Sequence, residues 1–407
     1  MKIKKIESIL TSFNRNYLTI KIITDDGLIG YGDATLNGRE LAVKSIIDDY
    51  LSNFLKGKEA DRIEDIWQMI FRGTYWRNGP VLTTALSGID MALWDIKGKK
   101  ANMPLYSLLG GKCRNKLKIY VHVHGRNENE LLERCKKNIN NGYKVLRYSF
   151  DTVDPNDRET IYCQPHQDLA ISKIEESDIK KIQGYWDSEV YIKELIRITK
   201  IIHQSFGNKV ELIHDVHSRL SLSQAIRLSR QIEEYNLFFL EDPIDPLNKE
   251  ALENIRYHTT LPIAFGELLT NLYDYKIIIA NRLVDYIRPD ISHIGGITPL
   301  IKLSAFAELY GIQTAFHGPS DISPIAHSAM SHINFSIPNF GIQEYVENFD
   351  YLSDVFKTPL KVKDGYLEIL PKPGIGVEVN EEIMKEYPYK KAFLPILRDE
   401  MGAIHNW

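Results

Sequence analysis

The sequence predicts an α/β protein: a modified TIM-type (β/α)8 barrel preceded by a small α+β capping domain. Three features predict it. Beyond Gly110-Gly111, short β-rich runs alternate with amphipathic helical stretches. Before that point, strands come first and helices second. Three acidic residues also close three successive candidate strands at equal spacing. At 407 residues the chain is long for one compact domain and comfortable for two.

In chain order, residues 2–35 alternate polar and apolar side chains as strands do. Tyr17 to Ile23, the turn Asp25-Asp-Gly27 and Leu28 to Gly32 form a hairpin signal. From about 39 to 100 the apolar spacing changes to three and four, as in Ile63 to Ile70 and Ala85 to Trp94. Residues 1–112 are therefore expected to form the capping domain, and 113–385 the barrel. Candidate barrel strands are 118–123, 143–148, 210–215, 237–241, 262–266, 284–289, 312–317 and 341–345. Ser188 is expected to cap the helix that ends before Gly207, and Ser221 or Ser223 to open the next. The eighth helix has the weakest periodicity. His122 to Arg147 spans 25 residues, whereas Arg147 to Asp215 spans 68. The excess marks an insertion over about 150–186, expected as a lid above the strand ends. Residues 386–407 are expected to return as a tail toward the cap and the active site.

Composition excludes several classes. Hydrophobic residues at 43% and charged residues at 26% fit a chain that folds without covalent staples. The net charge of -4, with basic residues scattered, excludes a nucleic-acid partner. Cys113, Cys135 and Cys163 lie far apart with no CxxC pair, so neither a zinc knuckle nor a disulfide framework is indicated. The N-terminus lacks the apolar core of a signal peptide, and no apolar run approaches the roughly 20 residues of a membrane span. A cytoplasmic protein with no membrane partner is expected.

The chemistry concentrates at the strand ends. Asp215, Glu241 and Glu267 follow apolar strands, each 26 residues after the last, which is about one β/α repeat. Such spacing sets three carboxylates on neighbouring strands at one height. They would repel at low dielectric, and a hard divalent cation with oxygen ligands, Mg2+, relieves that repulsion. Acidic residues also cap helices at strand ends, which is the plain reading of each one singly. Asp242 should face the other way and serve structure. His217, two residues after Asp215, should share its face, while His214 should not.

In this constellation the chain resembles the enolase superfamily, of mandelate racemase/muconate lactonizing enzyme type, and specifically its mannonate dehydratase-like branch. The resemblance runs through Gly32 to Glu40, Tyr120-Val-His122, Asp215-Val-His217, Phe239 to Pro243, Phe265-Gly-Glu267, Arg288 to Gly296, His317 to Asp321 and His405-Asn-Trp407. It implies a cap over a modified barrel and one Mg2+ held by Asp215, Glu241 and Glu267. The implied reaction is dehydration of a sugar acid, D-mannonate or D-gluconate, to a 2-keto-3-deoxy acid. Proton removal beside a carboxylate demands stabilisation of the charge that develops, followed by a general acid for the departing hydroxyl. His217 either supplies that proton or orients substrate. Arg147 stands where related racemases carry Lys-x-Lys, which argues against a lysine base. The resemblance pairs Arg147 with a tyrosine of the insertion as the proton-abstracting unit, with Tyr162 the first candidate and Tyr148 the second. It assigns substrate contacts to Asn37, His122, His217, Glu267, Arg288, His317, Asp321, Glu344 and Trp407. Pro319 fixes φ and removes a donor in the His317 to Asp321 loop, which extends the expected substrates to other six-carbon aldonic acids. A sugar-acid epimerase, and a metal-dependent sugar-acid-binding regulator, are the alternative readings. The resemblance also implies a homo-oligomer.

Overall fold

The computed structural model describes residues 1–13, 15–73, 75–152, 161–162, 183–346, 352–391 and 396–406. The chain begins with an antiparallel meander of β1 (Ile3–Ser12), β2 (Asn16–Thr24) and β3 (Ile29–Asp33). One face of the meander, carrying Leu18, Ile20 and Ile22, is buried against a long helix, Pro80–Ala101, through Ala85, Ile89, Ala92 and Ile96. Helix and sheet approach so closely that a Cβ at Gly30 or Gly32 would collide with the carbonyl of Ala92 or Gly88. Pro80 starts this helix, where its missing N–H costs nothing, and left-handed Asn102 ends it.

Three buried cap carboxylates fasten this unit to the C-terminal part of the chain. Asp33 accepts hydrogen bonds from Ser292 Oγ (3.1 Å) and Ser323 N (2.8 Å). Asp90 accepts from Thr298 N (3.0 Å) and Thr298 Oγ1 (2.5 Å), and Asp95 from Ile375 N (2.9 Å). Asp33 and Asp90 thus sit at the N-terminal ends of helices Pro324–Ser336 and Ile297–Leu309, where partial positive charge favours an anion.

The second unit is a closed barrel. Its parallel strands are β4 (Leu117–Gly125), β5 (Val145–Thr152), β8 (Glu211–Asp215), β9 (Phe239–Glu241), β10 (Ile263–Phe265), β11 (Tyr286–Ile287), β12 (Gln313–Thr314) and β13 (Gln343–Glu344). Two further strands, β6 (Ile161–Tyr162) and β7 (Gln183–Tyr185), fall in the insertion. Each of the eight expected strands overlaps an observed one. β13 pairs back onto β4, and a Thr314–Phe340 bridge completes the ring. Tyr120, Val145, Ile213, Phe239, Ala264, Ala315 and Ile342 form an apolar plug inside the ring. These residues fix which strand positions face inward.

Two details differ from expectation. Asp187, not Ser188, caps helix Ser188–Phe206, accepting from Glu189 N and Val190 N; either side chain is chemically able, and the turn geometry selects the earlier one. Ser221 opens helix Leu222–Ile232 with a full capping box, as one of the two expected serines. No long helix follows β13 among the described residues. Instead a hairpin, Leu360–Lys363 with Tyr366–Ile369, folds against the start of β4, because the sequence beyond Tyr345 lacks apolar residues at helical spacing.

The insertion extends the sheet: β6 pairs with the end of β5, and β7 pairs in parallel with tail strand Ile396–Arg398. The tail also touches the cap, where Asn16 Nδ2 donates to Lys390 O (2.9 Å), and the barrel, where Asn406 Nδ2 donates to Ser218 O (2.8 Å).

Candidate metal centre and active site

Asp215 and Glu241 end β8 and β9 and are direct partners in the ladder. Glu267 stands two residues past β10, beyond Gly266 at φ +127°, a conformation that glycine tolerates. One ligand oxygen from each of the three lies within 4.8 Å of the others. All three side chains are buried. Asp242 turns away, its Oδ1 accepting from Gly266 N (3.0 Å), and so serves structure as expected.

The charge balance around the triad tests whether a cation fits. Asp215, Glu241, Glu267 and Glu344 share two guanidinium groups. Arg147 reaches Asp215 (2.5 Å), Glu344 (3.2 Å) and Glu241 (3.8 Å). Arg288 reaches Glu241 (2.7 Å), Glu344 (2.9 Å) and Glu267 (3.8 Å). Counted as formal charges, four carboxylates against two guanidiniums leave two negative charges over, the charge of one divalent cation, and the neighbouring His317–Asp290 pair adds none. Neither oxygen of Glu241, nor Oε2 of Glu267, accepts a well-directed hydrogen bond, although all are buried. Burial, with the neighbouring carboxylates, holds Glu241 well above the usual carboxylate range. Burial lifts Glu267 to about 7 despite His317 beside it. Burial would raise Asp215 too, but Arg147, His217 and Arg288 bring it below its ordinary value. An all-oxygen set of buried, under-satisfied carboxylates suits Mg2+.

The expected substrate residues mostly converge on this centre. His317 Nε2 is 3.4 Å from Glu267, and its Nδ1 is 2.7 Å from Asp290 Oδ2. Burial opposes its protonation, yet Glu267, the Asp290 bond and Glu344 push it up to about 10. His217 Nε2 lies 3.5 Å from Glu267 Oε1, but strand alternation does not bring it there. β8 stops at Asp215, and His217 and Ser218 adopt φ of 59° and 62°, so a left-handed turn swings the ring inward. His122 sits opposite Arg147 in the ladder and binds Glu344 Oε1 at 2.5 Å. Glu344 and Arg288 are fully buried. Glu344 contacts His122, Arg147, Arg288 and Gly318 N, while Arg288 donates to Tyr120 Oη (2.8 Å) and Ala315 O (3.0 Å). Asn37 reaches across from the cap and donates to Asp321.

Of the two tyrosine candidates, Tyr148 is corrected. Its hydroxyl meets Thr199 Oγ1 (2.5 Å) and its ring packs on His214 outside the barrel, because the residue after inward Arg147 must face outward. The backbone at Tyr162 pairs with Asp151, a β5 position of the same parity as Arg147; its side chain lies outside the described residues. Trp407 also lies outside them. His214 bonds Tyr191 Oη (2.7 Å) and Tyr148 O (3.0 Å) and is structural, as expected.

Two residues escaped the sequence reading. Asp290 follows Arg288 by two in the same stretch, which was the available signal, and it orients His317. Arg15, in the β1–β2 turn, pairs with Asp321 Oδ1 at 2.6 Å. No local pattern links positions 306 residues apart.

Comparison with known proteins places this geometry. A family profile described as the mandelate racemase / muconate lactonizing enzyme N-terminal domain matches residues 5–110. One described as enolase C-terminal domain-like matches 170–383. A D-galactonate dehydratase family member of Pseudarthrobacter chlorophenolicus is 41% identical, with 100% of each chain covered. A D-mannonate dehydratase of a Caulobacter species (strain K31) is 40% identical, also over 100% of each. The solved structure of an enolase from Pantoea ananatis, with bound D-gluconate and Mg, is 41% identical with a TM-score of 0.91 over 100% of both chains. The 3,6-anhydro-D-galactonate cycloisomerase of Zobellia galactanivorans is 28% identical, with a TM-score of 0.79 over 96% of this chain and 100% of that one.

Proposed function

This chain belongs to the enolase superfamily, in its mandelate racemase / muconate lactonizing enzyme branch, and from that premise we propose that it dehydrates a six-carbon sugar acid with the help of Mg2+. It is a lyase of the acid-sugar dehydratase kind. The substrates we propose are D-gluconate or D-mannonate, converted to a 2-keto-3-deoxy acid. The observation that carries the metal-dependent reading is the convergence of Asp215, Glu241 and Glu267, all buried, with one oxygen of each within 4.8 Å of the others and three of their oxygens lacking a well-directed hydrogen bond. Those three side chains would hold the cation. When bound, Mg2+ supplies Lewis-acid stabilisation of negative charge on the substrate carboxylate.

The chain's own residues would do the rest. Arg147 is a buried cation on the inward face of β5, and it would favour the phenolate form of a tyrosine brought beside it. We assign Tyr162 as that base, taking the proton from C2; its ladder position opposite Asp151 supports this. As C2=C3 forms, the 3-hydroxyl leaves with a proton from His217, 3.5 Å from Glu267. The enol product then gains a proton at C3 as it becomes the ketone, so the net loss is one water. Asn37, His122, Arg288, His317, Asp321, Glu344 and Trp407 would bind or support the polyhydroxy chain, with donors for its carboxylate and acceptors for its hydroxyls. Asp290 keeps His317 oriented. Self-association belongs to the same reading: Tyr75 and Trp76, 74% and 79% exposed on the cap, offer apolar surface for it.

The test is incubation of the Mg2+-loaded protein with a panel of aldonic acids and detection of keto acid. Keto acid from D-gluconate or D-mannonate is expected, and Tyr162→Phe should stop both its formation and hydrogen exchange at C2. Exchange at C2 without loss of water would replace dehydration with epimerisation. Binding without either would make the protein a sugar-acid sensor.

A further inference from the structure

Above the catalytic layer, the wall made by β4 and β5 carries a second polar layer. In the parallel ladder His122 lies opposite Arg147, and His124 lies opposite Ser149. Tyr120 and Val145 belong to the inner plug of the barrel. By alternation, His122 and His124 on one strand, and Arg147, Ser149 and Asp151 on the other, share that inward face. The upper residues form a connected cluster. His124 Nδ1 is 3.0 Å from Ser149 Oγ, and His124 Nε2 is 3.3 Å from Asp151 Oδ1. Ser149 is buried, and the Asp151 side chain is only 5% exposed.

Three polar side chains, largely withdrawn from water yet facing the mouth of the barrel, suit a polyhydroxylated ligand. We propose that His124, Ser149 and Asp151 form a distal subsite that recognises the hydroxymethyl end of a six-carbon aldonic acid and rejects a second carboxylate there. This rests on the sugar-acid reading above and adds the determinant of chain length and terminus.

The reach fits. Two residues along a strand advance about 6.6 Å. Five C–C bonds of about 1.5 Å span a six-carbon acid at about that length. With its carboxylate at Asp215, Glu241 and Glu267, its C5 and C6 hydroxyls come level with the upper layer, whereas a four-carbon acid stops short. The polarity fits as well. The cluster offers a hydroxyl, an imidazole and a carboxylate, which can both donate to and accept from alcohols. A ligand carboxylate brought beside Asp151 would face a poorly screened negative charge in a site of low dielectric. Aldonic acids are therefore preferred over aldaric acids of the same length.

The test compares wild type with Ser149→Ala, His124→Asn and Asp151→Asn, each loaded with Mg2+. Affinity by calorimetry and kcat/KM are measured for D-gluconate, four-carbon D-threonate and D-glucarate. Ser149→Ala or His124→Asn should weaken D-gluconate about tenfold, the size of one lost hydrogen bond in a buried site, while D-threonate changes less than twofold. Asp151→Asn should narrow the preference for D-gluconate over D-glucarate at least tenfold. Thermal unfolding identifies any variant that fails to fold, and the other two then decide. Equal effects on D-gluconate and D-threonate, or none, would overturn the subsite and leave the cluster a brace for the strand ends. Binding without dehydration would sink the dehydratase reading while the affinity ratios still test the subsite. Failure of wild type to bind any sugar acid would overturn both.

Discussion

Replacing Glu241 by Gln should abolish the response of this protein to Mg2+ without disturbing its fold. Glu241 is fully buried, contacts both guanidinium groups and has two oxygens without a well-directed hydrogen bond. Gln keeps the shape and can still accept from Arg288, but removes one of the charges that hold a cation. A ligand at a hundredfold its Kd stabilises by about 2.7 kcal/mol. With an unfolding entropy of about 2.1 cal/mol/K per residue, the 407-residue chain has about 0.85 kcal/mol/K. Saturating Mg2+ should then raise the Tm of the wild type by about 3 °C, and that of the variant by less than about 1 °C. In EDTA the variant should be at least as stable as the wild type, since a carboxylate that burial holds above its ordinary range has been removed. Turnover should fall more than about a thousandfold, because the cation contributes several kcal/mol at the transition state. Differential scanning fluorimetry with and without Mg2+, beside a keto-acid assay, measures both. A variant that keeps the Mg2+-dependent rise in Tm and most of its turnover would refute a ligand role for Glu241.

Further tests address the cap and the buried histidines. Arg15→Gln removes the partner of Asp321 at the barrel mouth; KM for the sugar acid should rise about tenfold with kcat within about twofold, and an unchanged KM would relegate Arg15 to the surface. His332 accepts from Tyr106 N through Nδ1, and its Nε2–H donates to Ile375 O, each at 3.1 Å. Burial lowers its pKa to about 3, and burial lowers His327 to about 4. A folded-state pKa below the unfolded value near 6.5 means that this stability is fully present above about pH 6.5 and is lost as pH falls toward 3–4. Each ring should cost about 1.4 kcal/mol per pH unit in that window, or about 4 kcal/mol for the pair by pH 5. His332→Gln should roughly halve the slope of stability against pH, and an unchanged slope would show that the buried ring does not titrate on unfolding.

The carboxylate triad was legible because a barrel repeats. Two intervals of 26 residues put Asp215, Glu241 and Glu267 on adjacent strands, and adjacent strand ends of a closed barrel lie side by side whatever the loops do. His122 and Arg147 came from the family resemblance, and their place opposite one another in the ladder gives both the same face. The rule failed where strands end. His217 reaches the centre through two left-handed residues, which alternation does not describe. It failed again for the eighth unit, where among the described residues a hairpin, not the expected helix, follows β13.

By itself the sequence determined the succession of barrel strands and the three carboxylates that would converge at their ends, because these follow from local periodicity and repeat length. The partners were a matter for the tertiary structure. Arg15 on Asp321, Asp90 on Thr298, Asp290 on His317 and the sharing of two guanidiniums among four carboxylates are contacts across space, between segments that carry no mutual signal along the chain. Such contacts exist only after the apolar plug and the cap have packed. That packing sets the distances on which charge balance depends.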